Sequence, residues 1–277
     1  RTGAVPIGTE TGLSEIRAKI VLIATGVRES SRAQRLIGGE KPGGIIPTGA
    51  LQGLVYLEGR RPFRRPVILG TELVSFSAIM TCLHAGIRPV AMIEPNAEAT
   101  ARWPAALYPR LKGIPLHLST SIRAIEGRER VERVIVDGPT GMQAIETDGV
   151  IVTGKFRPEA TLFDGSHLEK DPKTGGPVVD NFGRCSDPAY FAAGNLLRPV
   201  ETAGWSWSEG VAVARSIEAG LTGKLPAPAT QPVTLKGDAL SWVVPQRISV
   251  PSDGAHQRFQ LRVNRKVKGR ISARVGG

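Results

Sequence analysis

Short, wholly apolar runs punctuate the chain. Residues 20–23 (IVLI), 67–69 (VIL), 89–93 (PVAMI) and 150–152 (VIV) carry no polar position, the pattern of strands buried on both faces. Between the second and third runs, residues 73–85 form a largely apolar stretch of helical length. Strand, glycine, helix and strand then follow one another as in a parallel βαβ unit. Residues 49–59 predict a short helix, apolar at Leu51, Leu54, Val55 and Leu57, and residues 101–113 a weaker one. The basic, proline-bounded stretch RRPFRRP (60–66) reads as a solvated hinge. Residues 114–154 read as strands, with a hairpin at Asp137-Gly138-Pro139-Thr140-Gly141. Residues 176–195 suggest two short strands, and 205–221 a helix apolar at Val211, Val213, Ile217 and Leu221. Beyond a proline-spaced linker (224–232), the runs 258–263 and 270–275 alternate apolar and charged residues, predicting a half-exposed β-hairpin. The sum is an α/β fold: a parallel core sheet with a β-meander, plus a small C-terminal β extension.

Composition adds limits. The 277 residues suffice for two domains or one large α/β domain with an extension, and 41% apolar with 22% charged residues describes a folded globular chain. No run is long enough to span a membrane, and no signal-peptide pattern opens the chain. Two cysteines, Cys82 and Cys185, are too distant in sequence for a CxxC pair, which points to a reduced, cytoplasmic setting. The net charge of +11 is concentrated at one end, because residues 227–277 carry nine Lys/Arg against two Asp. The chain starts within a strand-rich segment and stops after another, so it is expected to be a fragment of a longer protein.

Three strands end in a small residue and a glycine: LIATG (22–26), VIVTG (150–154) and YFAAGN (190–195). A strand end without bulky side chains lets a large ligand lie against the backbone, although each glycine could equally well serve only to turn its strand. Their order around the βαβ unit resembles that of the two-dinucleotide-binding-domain flavoproteins, the pyridine nucleotide-disulfide oxidoreductase-like group, over about residues 10–222. The resemblance implies FAD/NAD(P)-binding, Rossmann-like three-layer ββα domains. Residues 1–61 would be the end of a first flavin-domain piece and 62–154 an inserted NAD(P)-binding-like domain. Residues 155–225 would be the second flavin-domain piece and 226–277 the linker and basic extension. It also implies FAD contacts at Thr25, Gly26, Gly194 and Asn195, and at the start of the helix around Gly204, Trp205 and Glu209. Asn195 stands where the family has an acid for the ribityl chain; an amide can still hydrogen-bond a hydroxyl but brings no charge. The flavin domain's own glycine-rich loop would lie upstream of Arg1. The strings PTGALQ (47–52) and GTELVSFSA (70–78) are most similar to one branch, the flavoprotein subunits of hydrogen cyanide synthase, opine oxidase and proline dehydrogenase. That branch implies an amine or amino-acid substrate, with electrons passed to partner subunits or a respiratory acceptor.

The inserted unit departs from the dinucleotide fingerprint. G-x-G-x-x-G reads here as Gly70, Glu72 and Ser75, with Glu94 standing 24 residues after Gly70 at the ribose-binding position. Glu72 puts bulk and negative charge where a pyrophosphate would approach, so NAD(P) binding is doubtful and a retained, non-binding scaffold is expected. His84, His117, His167 and His256 show no metal-ligand spacing, and no metal is expected. No catalytic acid–base pair can be named. Trp205 and Trp207 could wall a flavin or pack against the sheet. Seven Arg/Lys from Arg258 to Arg274 read as a solvated strand face, with an anionic membrane or acidic subunit as the rival partner. No nucleic-acid motif accompanies them. The remaining alternatives are an NAD(P)H-dependent flavoprotein reductase and a scaffold subunit that has lost its flavin. Localisation is expected to be cytoplasmic, with the basic tail permitting a peripheral place at the inner face of the membrane.

Overall fold

A computed structural model describes residues 3–101, 103–229, 231–249 and 258–274. Two compact units divide the chain: Arg1–Arg28 with Arg157–Gly277, here the outer unit, and Glu29–Phe156, here the inserted unit. The outer unit opens with an antiparallel hairpin, β1 (Gly3–Thr9) and β2 (Gly12–Ala18), then β3 (Val21–Ile23) and β4 (Val27–Arg28).

The inserted unit contains β5 (Gly38–Gly39), β6 (Ile45–Pro47), α1 (Thr48–Gln52), β7 (Val67–Leu69), α2 (Leu73–His84) and β8 (Ala91–Ile93). After these come α3 (Tyr108–Leu111), β9 (Leu116–His117), β10 (Ser121–Glu126), β11 (Arg133–Gly138), β12 (Gly141–Glu146) and β13 (Val150–Val152). Five strands form a parallel sheet in the order β6-β13-β7-β8-β9, and four form a second sheet, β12-β11-β10-β5. The apolar runs explain the three layers. Ile68, Met92 and Ile151 point to one face and pack with Phe76, Ile79 and Cys82 of α2. Their neighbours Val67, Leu69, Ala91, Ile93, Val150 and Val152 point to the other and meet Ile122, Ile125, Val134 and Val136 of the meander. A strand with both faces covered must be apolar throughout, which is what the sequence displays.

The outer unit resumes with β14 (Arg157–Pro158), β15 (Tyr190–Ala192), α4 (Ala203–Leu221), β16 (Gln231–Pro232), β17 (Leu240–Val244), β18 (Arg247–Ile248) and β19 (Gln260–Val263). β15 runs parallel to β3, with Phe191 opposite Leu22. Phe191, Ala193 and Val213 of α4 form one small core, and Phe163, Val179, Leu196, Trp242 and Val244 belong to another.

Five expectations need correction. The inserted unit begins at Glu29 rather than 62, because β6 joins the parallel sheet beside β13 and β5 pairs with β10. The basic connector is not a free hinge: Phe63 is buried against Gly149, and the Asp148 carboxylate accepts the backbone N–H groups of Arg64 and Arg65, both at 2.7 Å. Of the two strands expected within 176–195, only β15 forms; Pro177 and Arg184 make isolated bridges instead. The tail hairpin is replaced by β19 pairing antiparallel with β17. Trp242, Val243 and Val244 are buried, so pairing there covers an apolar edge, whereas two half-charged strands would bury little. Residue 275 of that expected hairpin lies outside the described residues. On α4, Val211 and Leu221 face outward, and the buried stripe instead runs through Glu209, Val213 and Ser216.

Ile151 is fully buried in the central strand, while Met80 is exposed on α2. Ile151→Ala should therefore lower stability by about 2–5 kcal/mol, and Met80→Ala by no more than roughly 0.5 kcal/mol, in urea unfolding of the inserted unit's transition.

Candidate functional site

Among the described residues, each unit has one glycine-ended strand pair. In the outer unit, β3 and β15 are in parallel register, so the turns Ala24-Thr25-Gly26 and Ala193-Gly194-Asn195 emerge at the same edge. The first turn is tied down by Glu159: Thr25 Oγ1 donates to its carbonyl at 2.6 Å, and its N–H donates to the Gly26 carbonyl at 2.8 Å. Gly26 and Gly194 have φ of +73° and +76°, a region that disfavours side chains. A Cβ on either would meet nothing within 4 Å. Both faces are open for a ligand to lie against backbone. The Gly194 N–H itself donates to Glu209 Oε2 at 2.7 Å.

Asn195 does something other than await a ligand. Its Oδ1 accepts the Glu201 N–H at 2.7 Å and its Nδ2 reaches the Glu201 carbonyl at 3.4 Å, so the amide braces the loop leading to α4. Thr202 caps that helix by accepting the Trp205 N–H. Gly204, Trp205 and Trp207 lie on the first turn with exposed side chains or backbone, and Trp207 is 75% exposed. Neither tryptophan is packed away against the sheet.

The inserted unit carries the same motif in a different state. β7 and β13 are neighbours, with Leu69 opposite Val152, and end at Gly70 and Gly154. A Cβ on Gly70 would collide with Thr153 Oγ1. Ser75, fully buried, contacts that hydroxyl at 2.5 Å, and it in turn donates to the Leu69 carbonyl at 2.8 Å. Gly70 and Ser75 thus bring strand and helix together. Glu72 is the N-cap residue of α2 but its side chain does not cap the helix. Its Oε1 accepts the Lys155 N–H at 2.7 Å, and its carboxyl group occupies the space a Gly154 Cβ would need. The adjacent Gly154 N–H donates to Glu29 Oε1 at 3.1 Å, and Glu29 Oε2 accepts the Gly49 N–H at 3.0 Å. Ser30 adds an N–H bond to the Gly154 carbonyl at 3.2 Å. Two consecutive N–H groups, the kind of nest that holds anions, are therefore held by two carboxylates of the same unit.

Arg35 completes this cluster by donating to the Thr153 carbonyl. Burial pulls its guanidinium below the ordinary arginine value, while Glu72, Glu29 and Glu94 pull it back up. Glu94 is 3% exposed with both oxygens engaged. Oε2 accepts from Thr71 Oγ1 at 2.5 Å, and Oε1 accepts from Asn96 N and Nδ2 at 2.9 and 2.7 Å. Sequence reasoning found Glu72 and Glu94 but missed Glu29, Arg35 and Lys155. Nothing in periodicity or spacing links residue 29 to residue 154.

The remaining candidates are accounted for locally. Cys82 and Cys185 are buried free thiols in different units, both pushed up to about 12 by desolvation. Such thiols stay protonated and inert at neutral pH. His84 stacks on Tyr56 at 5.2 Å, His117 sits on β9 and His167 pairs with Asp187 at 2.9 Å. His256 lies outside the described residues. Among the described residues no cluster could hold a metal, and no helix is long and apolar enough to cross a membrane.

A family model described as pyridine nucleotide-disulphide oxidoreductase matches residues 8–210. A thioredoxin reductase from T. acidophilum is similar in structure, with a TM-score of 0.64 and 22% identity, over 80% of this chain and 74% of that one. An FAD-dependent pyridine nucleotide-disulphide oxidoreductase from Desulfovibrio vulgaris gives 0.62 and 20%, over 87% of this chain and 62% of its own. An NAD-dependent persulfide reductase from A. fulgidus gives 0.61 and 19%, over 86% of this chain and 46% of its own. At these identities the likeness is one of fold. Comparison with curated protein sequences gave no match.

The packing of Glu72 on Gly154 can be measured by a double-mutant cycle. Gly154→Ala alone should cost about 3 kcal/mol, from the left-handed φ and the clash together. In a Glu72→Ala background the same substitution should cost only about 1–2 kcal/mol. Strict additivity would show that the carboxyl group does not fill that space.

Proposed function

We propose, for a chain that belongs to the pyridine nucleotide-disulphide oxidoreductase family, that it works within an FAD-dependent oxidoreductase drawing electrons from an amine or amino acid. The carrying observation is the contrast between its two glycine-ended strand pairs. Gly26 and Gly194 offer open faces side by side, which fits a long dinucleotide lying along the backbone beside a helix start. Thr25, Gly26, Gly194 and the Gly204–Trp205 turn would hold FAD there, with Asn195 shaping the loop. When bound, FAD supplies the two-electron redox chemistry.

The chain's own residues decide the route of the electrons. At Gly154, Glu29 and Glu72 already take the N–H groups, and Glu94 is sealed by Thr71 and Asn96. A pyrophosphate entering there would meet three carboxylates and find the donors used. We read this inserted unit as a retained scaffold, closed to NAD(P). Cys82 and Cys185, buried, protonated and in separate units, do not form a dithiol relay with each other, and in this reading the electron donor to the flavin is neither a reduced nicotinamide nor a dithiol. The resemblance of PTGALQ and GTELVSFSA to subunits of amine-oxidising dehydrogenases supplies the class. A partner subunit or respiratory acceptor would take the electrons, and the exposed basic residues 258–274 would suit an acidic partner or an anionic membrane. The rival reading, an NAD(P)H-dependent reductase, has in its favour the fold shared with the NAD-dependent A. fulgidus protein.

Anaerobic mixing of the flavin-loaded, full-length protein separates these readings. Amino acids or opine-like amines should bleach the flavin, and NADH should not. Glu72→Gly alone should still fail with NADH, because Glu29 still takes the Gly154 amide, whereas Glu29→Ala/Glu72→Gly should gain NADH binding. Rapid bleaching of the unaltered protein by NADH would sink the closed-scaffold reading.

A further inference from the structure

Arg198 is completely buried at the end of the loop that follows Gly194, an unusual place for a guanidinium. Its Nη1 donates to the Gly194 carbonyl at 3.2 Å and to Glu209 Oε2 at 3.0 Å. That same carboxylate oxygen accepts the Gly194 N–H at 2.7 Å. One ion pair therefore grips both backbone groups of a single glycine, from the loop on one side and from α4 on the other. Among the described residues, Nε and Nη2 of Arg198 have no hydrogen-bond partner. A buried arginine with spare donors is poor economy if stability is the only return, since an apolar pair of equal volume would pack as well.

The rest of the loop is braced independently of this pair. Asn195 holds the Glu201 backbone, and Arg262 on β19 reaches the Pro199 carbonyl and the Glu201 carboxylate at 3.5 and 3.8 Å. What the Arg198–Glu209 pair adds at Gly194 is a grip on its peptide, which has a φ of +76° and an open face. We infer that Arg198 and Glu209 are positioning residues for the cofactor cradle, locking the Gly194 peptide so that its open face stays aligned with that of Gly26. Neither residue is assigned contact with the cofactor. The ion pair acts through the glycine backbone. The inference rests on the reading that FAD lies at Gly26 and Gly194.

The test compares the full-length apoprotein with Arg198→Met/Glu209→Met, in which two apolar side chains replace the pair without leaving a lone buried charge. Thermal unfolding checks that the variant folds. FAD affinity by fluorescence quenching and the visible circular dichroism of bound FAD report the cradle. The double variant should fold with a similar melting temperature, bind FAD more weakly by about tenfold or more, and show altered visible dichroism. Arg198→Lys, which keeps the charge and one donor, should recover part of the affinity; this single variant also carries the test if the double one does not fold. Unchanged affinity and dichroism in a folded double variant, or in Arg198→Lys no difference from Arg198→Gln, would overturn the positioning role while leaving the FAD reading intact. Failure of the unaltered protein to bind FAD would overturn both.

Discussion

Backbone N–H groups at the end of a buried strand must find acceptors, and the choice of acceptor governs both units of this protein. A glycine at such an end has no side chain to shield it, so its face is either left open or filled by something else. At Gly154 the filling is internal: the Glu72 carboxyl group occupies the missing side chain's place, and Glu29 takes the amide. At Gly194 the amide is likewise taken by a carboxylate, Glu209, but from the side, and the face stays clear. Two similar strand ends thus differ, one filled and one clear, by the direction from which a glutamate arrives.

Burying glutamates wholly (Glu94, Glu209) or in part (Glu29, Glu72) brings a second constraint. A desolvated carboxylate is costly unless a cation or several donors meet it. Glu94 is met by Thr71 and Asn96, Glu209 by Arg198 and the Gly194 amide, and the Glu29–Glu72 pair has Arg35 nearby. Each solution is local to its unit, and each fixes a turn rather than leaving it mobile. The inserted unit is a dinucleotide-binding-type fold in which the Gly154 and Lys155 amides are met by carboxylates of the chain itself.

The layered core was legible because burial on two faces forces an unbroken apolar run: Val67–Leu69, Ala91–Ile93 and Val150–Val152 announce themselves. The glycine-ended turns were legible for the same reason, as breaks in those runs. Residues 29–61 were misassigned because membership of a parallel sheet depends on β6 pairing with β13, a contact across a hundred residues that no local pattern encodes. The partner of β19 was missed in the same way, since alternation at 258–263 specifies a half-exposed strand but not its neighbour. Arg198 lies in the stretch NLLRPVE, where a charged residue among apolar ones reads as a surface position. The carboxylate of Glu209, eleven residues on and within α4, together with the Gly194 carbonyl makes its burial tolerable.

The central claim is that one strand-end crevice is open and the other is filled. Hydrogen–deuterium exchange of the full-length protein, with FAD and separately with NADH, reads both crevices in one experiment. The account predicts that FAD slows exchange at residues 24–27 and 193–197, while NADH leaves residues 153–155 unchanged. Protection of residues 153–155 by NADH, or no protection of 24–27 and 193–197 by FAD, would contradict it.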